Sequence, residues 1–261
     1  AGGGGSSSTV GTLRVVPSEL NFGQRALCLA TVRKVELSVV LSGSNPVEVF
    51  GVSTDSEDFH PATFTPAVLQ PGERLELKVI LLPRREAAIE GTLVIETSEG
   101  HIRVPIRGEG VDNPYRLKPI NVRIPVGLRY SPQVVLYNPH PEKLHVREVF
   151  TTEGYLRLVL PSTDPHADNL EDGALEVDAA DVEGRWIFSP YTKSEVIRLT
   201  FQVHTPGKYE GYLHINTNFD DMVVPVEIRV MRGGLVATPD AIAFGVYATD
   251  EVGLSLRLGV F

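Results

Sequence analysis

The sequence predicts an all-β chain of tandem immunoglobulin-like β-sandwiches, the last of them truncated, and three observations carry that reading. Short runs of alternating or β-branched residues, punctuated by Pro, Gly and Asn, recur from Leu13 onward, with few stretches at helical spacing. A hairpin-like segment beginning at Glu90 returns at Glu210. The length of 261 residues exceeds one sandwich of about 100 residues and suits two with a remainder.

Residues 1–10 run Ala-Gly-Gly-Gly-Gly-Ser-Ser-Ser-Thr-Val, a composition that buries little apolar surface, and they are expected to be a flexible linker. A first sandwich is placed at 11–112, with strands at Leu13 to Val16, Val35 to Leu41, Val47 to Ser53, Leu75 to Leu82, Gly91 to Thr97 and His101 to Arg107. Leu75, Leu77, Val79 and Leu81 alternate with mostly polar neighbours, so one face of that strand is expected to be buried. Pro71-Gly72 just ahead of it suits a type II turn, because Pro fixes φ and Gly accepts a positive one. After Gly110, Asn113-Pro114-Tyr115 interrupts the pattern. A second sandwich at 113–232 follows, with strands at Asn121 to Val126, Gln133 to Tyr137 and His145 to Phe150.

The repeat covers more than one strand. Glu90-Gly91-Thr92-Leu93-Val94-Ile95-Glu96-Thr97 matches Glu210-Gly211-Tyr212-Leu213-His214-Ile215-Asn216-Thr217, and the same offset aligns Val104-Pro105-Ile106 with Val224-Pro225-Val226. Pro17-Ser18-Glu19-Leu20-Asn21-Phe22-Gly23 likewise resembles Pro239-Asp240-Ala241-Ile242-Ala243-Phe244-Gly245. Residues 233–261 are therefore expected to be the opening strands of a third sandwich, cut short at Phe261, and the chain to be part of something longer. The second sandwich holds an acidic insertion at 162–184, where eight Asp and Glu residues occur with no Lys or Arg. Its spacing lacks the ordered ligand pattern of a calcium loop, so a solvated loop is expected.

Composition and motifs exclude several functions. A net charge of −9 argues against a phosphate-backbone footprint, so no nucleic acid is expected as partner. Cys28 is the only cysteine; it sits in an apolar run and reads as a small core residue rather than a nucleophile. His140 and His145 lie five apart where a loop, marked as a turn by Pro139 and Pro141, passes into a strand, and they read as structural or exposed; His101 and His214 fall at different positions of the repeat. The glycines are dispersed, not gathered as a phosphate cradle. No catalytic residue, cofactor-binding residue or metal ligand is assigned, no cofactor or small-molecule substrate is expected, and the chain is not expected to be an enzyme. Trp186, within the aromatic stretch Trp186 to Lys193, is expected to be a core anchor; exposed, it would suit peptide docking.

Three segments carry a family resemblance. Gly108-Glu109-Gly110-Val111-Asp112-Asn113-Pro114-Tyr115-Arg116-Leu117, Asn138-Pro139-His140 and Trp186 to Lys193 resemble the transmembrane protein 131 family, and the likeness runs from about Leu13 to the end. The resemblance implies PapD-like sandwich repeats on the luminal side of a membrane protein of the endoplasmic reticulum and secretory pathway, with the membrane span outside this segment. It also implies a non-enzymatic scaffold that recruits procollagen-like cargo for export. The acidic insertion and the Gly-Ser leader depart from the family pattern. Partners are expected to be proteins or extended peptide segments, bound by strand addition at an open sheet edge; the opening strand of the first sandwich and an outer strand near Ser162 are the edges considered, and no binding residue is assigned. The alternative is a cytoplasmic adaptor of the ciliary or microtubule type, favoured by the single cysteine and the lack of an Asn-x-Ser/Thr acceptor.

Overall fold

The computed structural model describes residues 8–10, 12–39, 45–160 and 186–233, and among them all regular structure is β-strand. They divide into two compact units. The first takes the described residues up to Lys118 together with Phe219–Val223; the second takes those of Pro119–Asn218 and those from Val224 onward. The acidic insertion and, but for Gly233, the expected third-sandwich segment lie outside the described residues.

In the first unit one sheet has the order β1 (Ser8–Val10), β2 (Leu13–Val16), β4 (Thr31–Val39), β8 (Arg74–Leu81), β6 (Phe59–Pro61). The other has the order β3 (Leu20–Ala26), β10 (Gly100–Val111), β9 (Ala88–Thr97), β5 (Val47–Thr54), β7 (Ala67–Leu69). Alternation dictates which side chains meet between the sheets: Val35, Leu37 and Val39 on β4, Leu77, Val79 and Leu81 on β8, and Ile102, Val104 and Ile106 on β10 are buried in one cluster. Phe22 and Phe59 meet within it, ring centroids 5.5 Å apart. Each such residue contributes roughly 1.5–3 kcal/mol by leaving water. Leu75, expected in this set, is only partly buried, because it lies at the strand end just after the turn. That turn is as expected: Glu73 N–H donates to Gln70 O at 2.9 Å and Gly72 has φ of 89°.

Two of the departures from expectation lie at the start of the first unit. Ser8–Val10, placed within a flexible linker, form a strand antiparallel to β2, with Ser8 opposite Val15 and Val10 opposite Leu13. The connection is held at Thr12, whose N–H and Oγ1 both donate to the Glu99 carboxylate at 2.8 and 2.5 Å. The second is β3, not expected as a strand because Asn21 and Gly23 weaken its propensity. It runs parallel to β10, and its register shifts between Arg107 and Glu109, alongside Gly23.

The second unit repeats the pattern. One sheet has the order β11 (Ile120–Pro125), β18 (Asp221–Met231), β17 (Gly207–Thr217), β13 (Leu144–Thr151), β15 (Ile187–Phe188); the other has β12 (Gln133–Tyr137), β16 (Lys193–Thr200), β14 (Arg157–Val159). Ile106 lies opposite Leu20 in the first parallel pair, and Val226, its counterpart in the sequence repeat, lies opposite Ile120 in the second. The repeat extends to a loop. Thr54 Oγ1 donates to Phe59 O at 2.7 Å, and Thr151 Oγ1 to Leu156 O at 2.9 Å. The next residue in each case accepts a strand N–H: Asp55 from Thr92 at 2.6 Å, and Thr152 Oγ1 from Tyr212 at 3.0 Å. Gly91 and Gly211 lie beneath these loops, where a Cβ would come 3.0 Å from Ser56 Cβ and 2.8 Å from Leu156 Cδ1.

Candidate functional site

The segments that set this sequence apart from a generic sandwich turn out to be buried joints. In the first unit, Asn113 is buried; its Nδ2 donates to Leu27 O at 2.5 Å and its Oδ1 accepts the Tyr115 N–H at 2.6 Å. Arg116, at φ of 60°, donates its N–H to Asn113 O at 2.8 Å, which closes a tight turn. Tyr115 is wholly buried, and its hydroxyl donates to Asp220 of the same unit; burial, reinforced by that carboxylate, raises the phenol pKa. Gly110 explains itself by space: a Cβ there would stand 2.0 Å from Arg85 O.

In the second unit, two segments far apart in sequence meet at Asn138. Its side chain is fully buried, and Nδ2 donates to Glu142 O, Phe188 O and Ser189 O at 2.8, 3.2 and 3.1 Å, while Oδ1 accepts the His140 N–H at 3.0 Å. One amide therefore joins Asn138-Pro139-His140 to the Trp186 to Lys193 stretch. Trp186 is half-buried, its indole N–H donating to Val196 O at 3.0 Å, so it anchors β16. Tyr191, at φ of 58°, is the exposed aromatic of the stretch at 59%.

Cys28 is buried, and burial pushes its thiol up to about 12, which disfavours the thiolate a nucleophile needs. His140 and His145 are held through their backbones, His145 N–H donating to Asn218 Oδ1 at 2.8 Å. Among the described residues no group of three or more His, Cys, Asp or Glu is placed to hold a metal.

What the fold presents is sheet edges. The opening strand of the first sandwich, considered as an open edge, is covered by β1 on one side and β4 on the other. Ser162 lies outside the described residues, but β14, ending at Val159 just before it, pairs with β16 alone among the described residues and is an edge of that sheet as described. Most edges carry the features that discourage pairing with another chain. β6 contains Pro61, β14 Arg157, β11 Arg123 and Pro125, and β3 Gly23 and Arg25; β1, β7 and β15 are three residues or fewer. β12 differs. Its five residues, Gln133-Val134-Val135-Leu136-Tyr137, contain no charge, proline or glycine. Nothing in its own sequence marked it; the comparison of the two units did.

Comparison with known proteins agrees with the layout. Residues 13–97 match the family described as transmembrane protein 131-like N-terminal, and residues 114–216 match the transmembrane protein 131 second Ig-like domain. The chain belongs to the transmembrane protein 131 family. It is 29% identical over 244 residues to the transmembrane protein 131 homolog of Drosophila melanogaster, covering 92% of this chain and 15% of that protein. It is 28% identical over 253 residues to transmembrane protein 131 of Mus musculus, covering 94% of this chain and 13% of that one. This member of the transmembrane protein 131 family therefore spans less than a sixth of either relative. Among solved structures, the PapD-like domain 7 of human CEP192 aligns at a TM-score of 0.34 and 12% identity, over 39% of this chain and 87% of that one. The segments by which the family was legible, Gly108 to Leu117, Asn138 to His140 and Trp186 to Lys193, include the joints just described; within them Asn113 and Asn138 are spent on holding the chain rather than on contacting a partner.

Proposed function

We propose that this chain is a non-enzymatic protein-binding and scaffolding segment, part of a membrane-anchored protein of the secretory pathway, which holds extended polypeptide such as procollagen-like cargo on the luminal side for export. The observation that carries the binding reading is β1. A segment from a Gly- and Ser-rich stretch adds itself as an antiparallel strand to β2, so the sheet captures extended chain by backbone pairing that asks little of side-chain identity. Membrane anchorage is supported by the names of the two relatives, both transmembrane proteins, the span lying outside this segment; among the described residues no helix is long and apolar enough to cross a membrane. The procollagen reading rests on the family resemblance.

Passing the chain over immobilised procollagen chains and over unrelated extended peptides tests the binding reading: selective retention supports cargo recognition, and equal or absent retention leaves a spacer. Protease protection of a tag in this region of the full-length protein, in intact microsomes, tests topology. Digestion of the tag without detergent would overturn the luminal placement and favour a cytoplasmic adaptor. That second reading has its own support in the single, buried cysteine and the absence of Asn-x-Ser/Thr.

A further inference from the structure

Superposing the strand orders of the two units isolates one difference. β3-β10-β9-β5-β7 corresponds to β11-β18-β17-β13-β15, and β4-β8-β6 to β12-β16-β14, strand for strand in chain order. The first unit continues past β4 to β2 and β1; among the described residues the second unit stops at β12. We infer that the outer edge of β12 is a docking site for an extended segment of a separate polypeptide, which pairs antiparallel with β12 about Val135 as β2 pairs with β4. This deepens the protein-binding reading above and rests on it.

The backbone of β12 is oriented for this. Tyr130 N–H donates to Phe201 O at 2.8 Å, Pro132 O accepts from Leu199 N–H at 3.0 Å, and Asn138 N–H donates to Thr192 O at 2.9 Å. Even-numbered residues thus spend their backbone groups on the β16 side. The register with β16 shifts between Val134, opposite Ile197, and Val135, opposite Glu195, and the extra residue, Val196, falls on β16, so alternation along β12 itself is kept and aims the N–H and C=O of Val135 outward from the sheet edge. Side chains follow the same parity: Val134 and Leu136 are buried, and Val135 is 40% exposed. Val134 and Leu136 are already buried with β12 as the outermost described strand of its sheet, so the site need not be built on binding.

The first unit shows the chemistry of the occupant. Leu13 and Val15 of β2 lie opposite Val39 and Leu37 of β4 and are fully buried, while Arg14, between them, is exposed. The partner segment is accordingly extended, with apolar residues at alternate positions across from Val134 and Leu136 and a polar residue across from Val135. β12 itself carries no charge, so nothing within the strand selects for or against a charged residue at the outward positions. Cargo chains that are not yet folded present such segments, because their own strands are unpaired.

The test uses the full chain and a dye-labelled peptide bearing the β2 sequence Leu-Arg-Val-Val between terminal lysines, alongside a panel of unrelated peptides of alternating apolar pattern. Peptide binding is expected to slow hydrogen exchange of the Val135 amide by about tenfold or more. Val135→Pro removes only an outward N–H, a change an edge strand tolerates; it is expected to weaken binding by about tenfold with the unfolding midpoint nearly unchanged, whereas Val135→Ala binds like the parent. Three results overturn the assignment. A Val135 amide already fully protected in the free chain would mean that another segment of this chain, or a second copy, occupies the edge. Unimpaired binding by Val135→Pro would place docking at another edge and leave the protein-binding reading standing. No binding of any extended peptide, procollagen segments included, would remove both.

Discussion

Asn138 shows how much one side chain holds. It is buried, makes four hydrogen bonds and ties three stretches of backbone, so Asn138→Ala leaves one N–H and three carbonyl groups without that partner. The expected cost is about 2–3 kcal/mol, read as a lower urea midpoint with unchanged slope. Cys28 makes a different kind of claim. Its thiol, raised by burial, should stay unreactive toward a disulfide reagent at pH 8 until the chain opens, so labelling should track the unfolding rate. Because its folded-state pKa lies above its ordinary value, the associated stability is full below about 9 and is lost as pH climbs toward about 12. The histidines act in the opposite sense. Burial is the main cause lowering His60, with Arg84 adding to it, and burial also lowers His214, which stacks on Phe150 at 4.5 Å. Stability from a depressed histidine is present above about 6.5 and lost as pH falls through the folded value, so the urea midpoint should drop between about pH 7 and pH 5. Replacing His60 and His214 together by Gln should flatten that drop.

At the scale of elements, spacing alone was enough for the long strands. β2 and β12 were legible to the residue, and β5, β8, β9, β10, β11 and β13 to within a few at their ends, because alternating apolar residues leave one choice of buried face. The strands that escaped, β3, β6, β7, β14, β15 and β16, are mostly short or carry polar residues and glycine, and exist because neighbours pair with them. The loops over Gly91 and Gly211 were invisible for another reason: Thr54 and Thr151 are ordinary residues until their hydroxyls are seen reaching five residues ahead. Gly110→Ala is expected to destabilise by about 3 kcal/mol or more, since its Cβ would meet a backbone carbonyl that cannot rotate away. Gly211→Ala should cost about 1–2 kcal/mol, because the atoms it meets belong to the Leu156 and Glu153 side chains and can give way in part. Thermal unfolding of both variants checks the order. The candidate edge β12 was read as a strand yet not as a site, because openness is a property of what lies beside a strand and the sequence of that strand is silent on it.

At the scale of the whole molecule, stability resides in two apolar interiors and not in charge. Several ion pairs, such as Lys34–Glu76 at 2.9 Å and Arg107–Glu19 at 2.7 Å, join exposed side chains on the sheet faces, and the buried Glu227, held by Arg229 at 2.8 Å and Lys208 at 3.4 Å, is the exception, a pair that salt screens little. Raising NaCl from about 0.1 to about 1 M should therefore leave the urea midpoint almost where it was.

The parallel pairing of the first and last strands of the second sandwich has a mechanical consequence. β11 enters and β18 leaves side by side over six matched positions, from Ile120 opposite Val226 to Pro125 opposite Met231. A pull applied at the two ends of that sandwich runs along both strands in opposite senses, so it loads every bond of the pair at once instead of opening them one by one. A hairpin held at its open end would unzip; this arrangement must shear. Pulled through its two ends, the sandwich should yield at a higher force than when it is pulled through the β17–β18 turn.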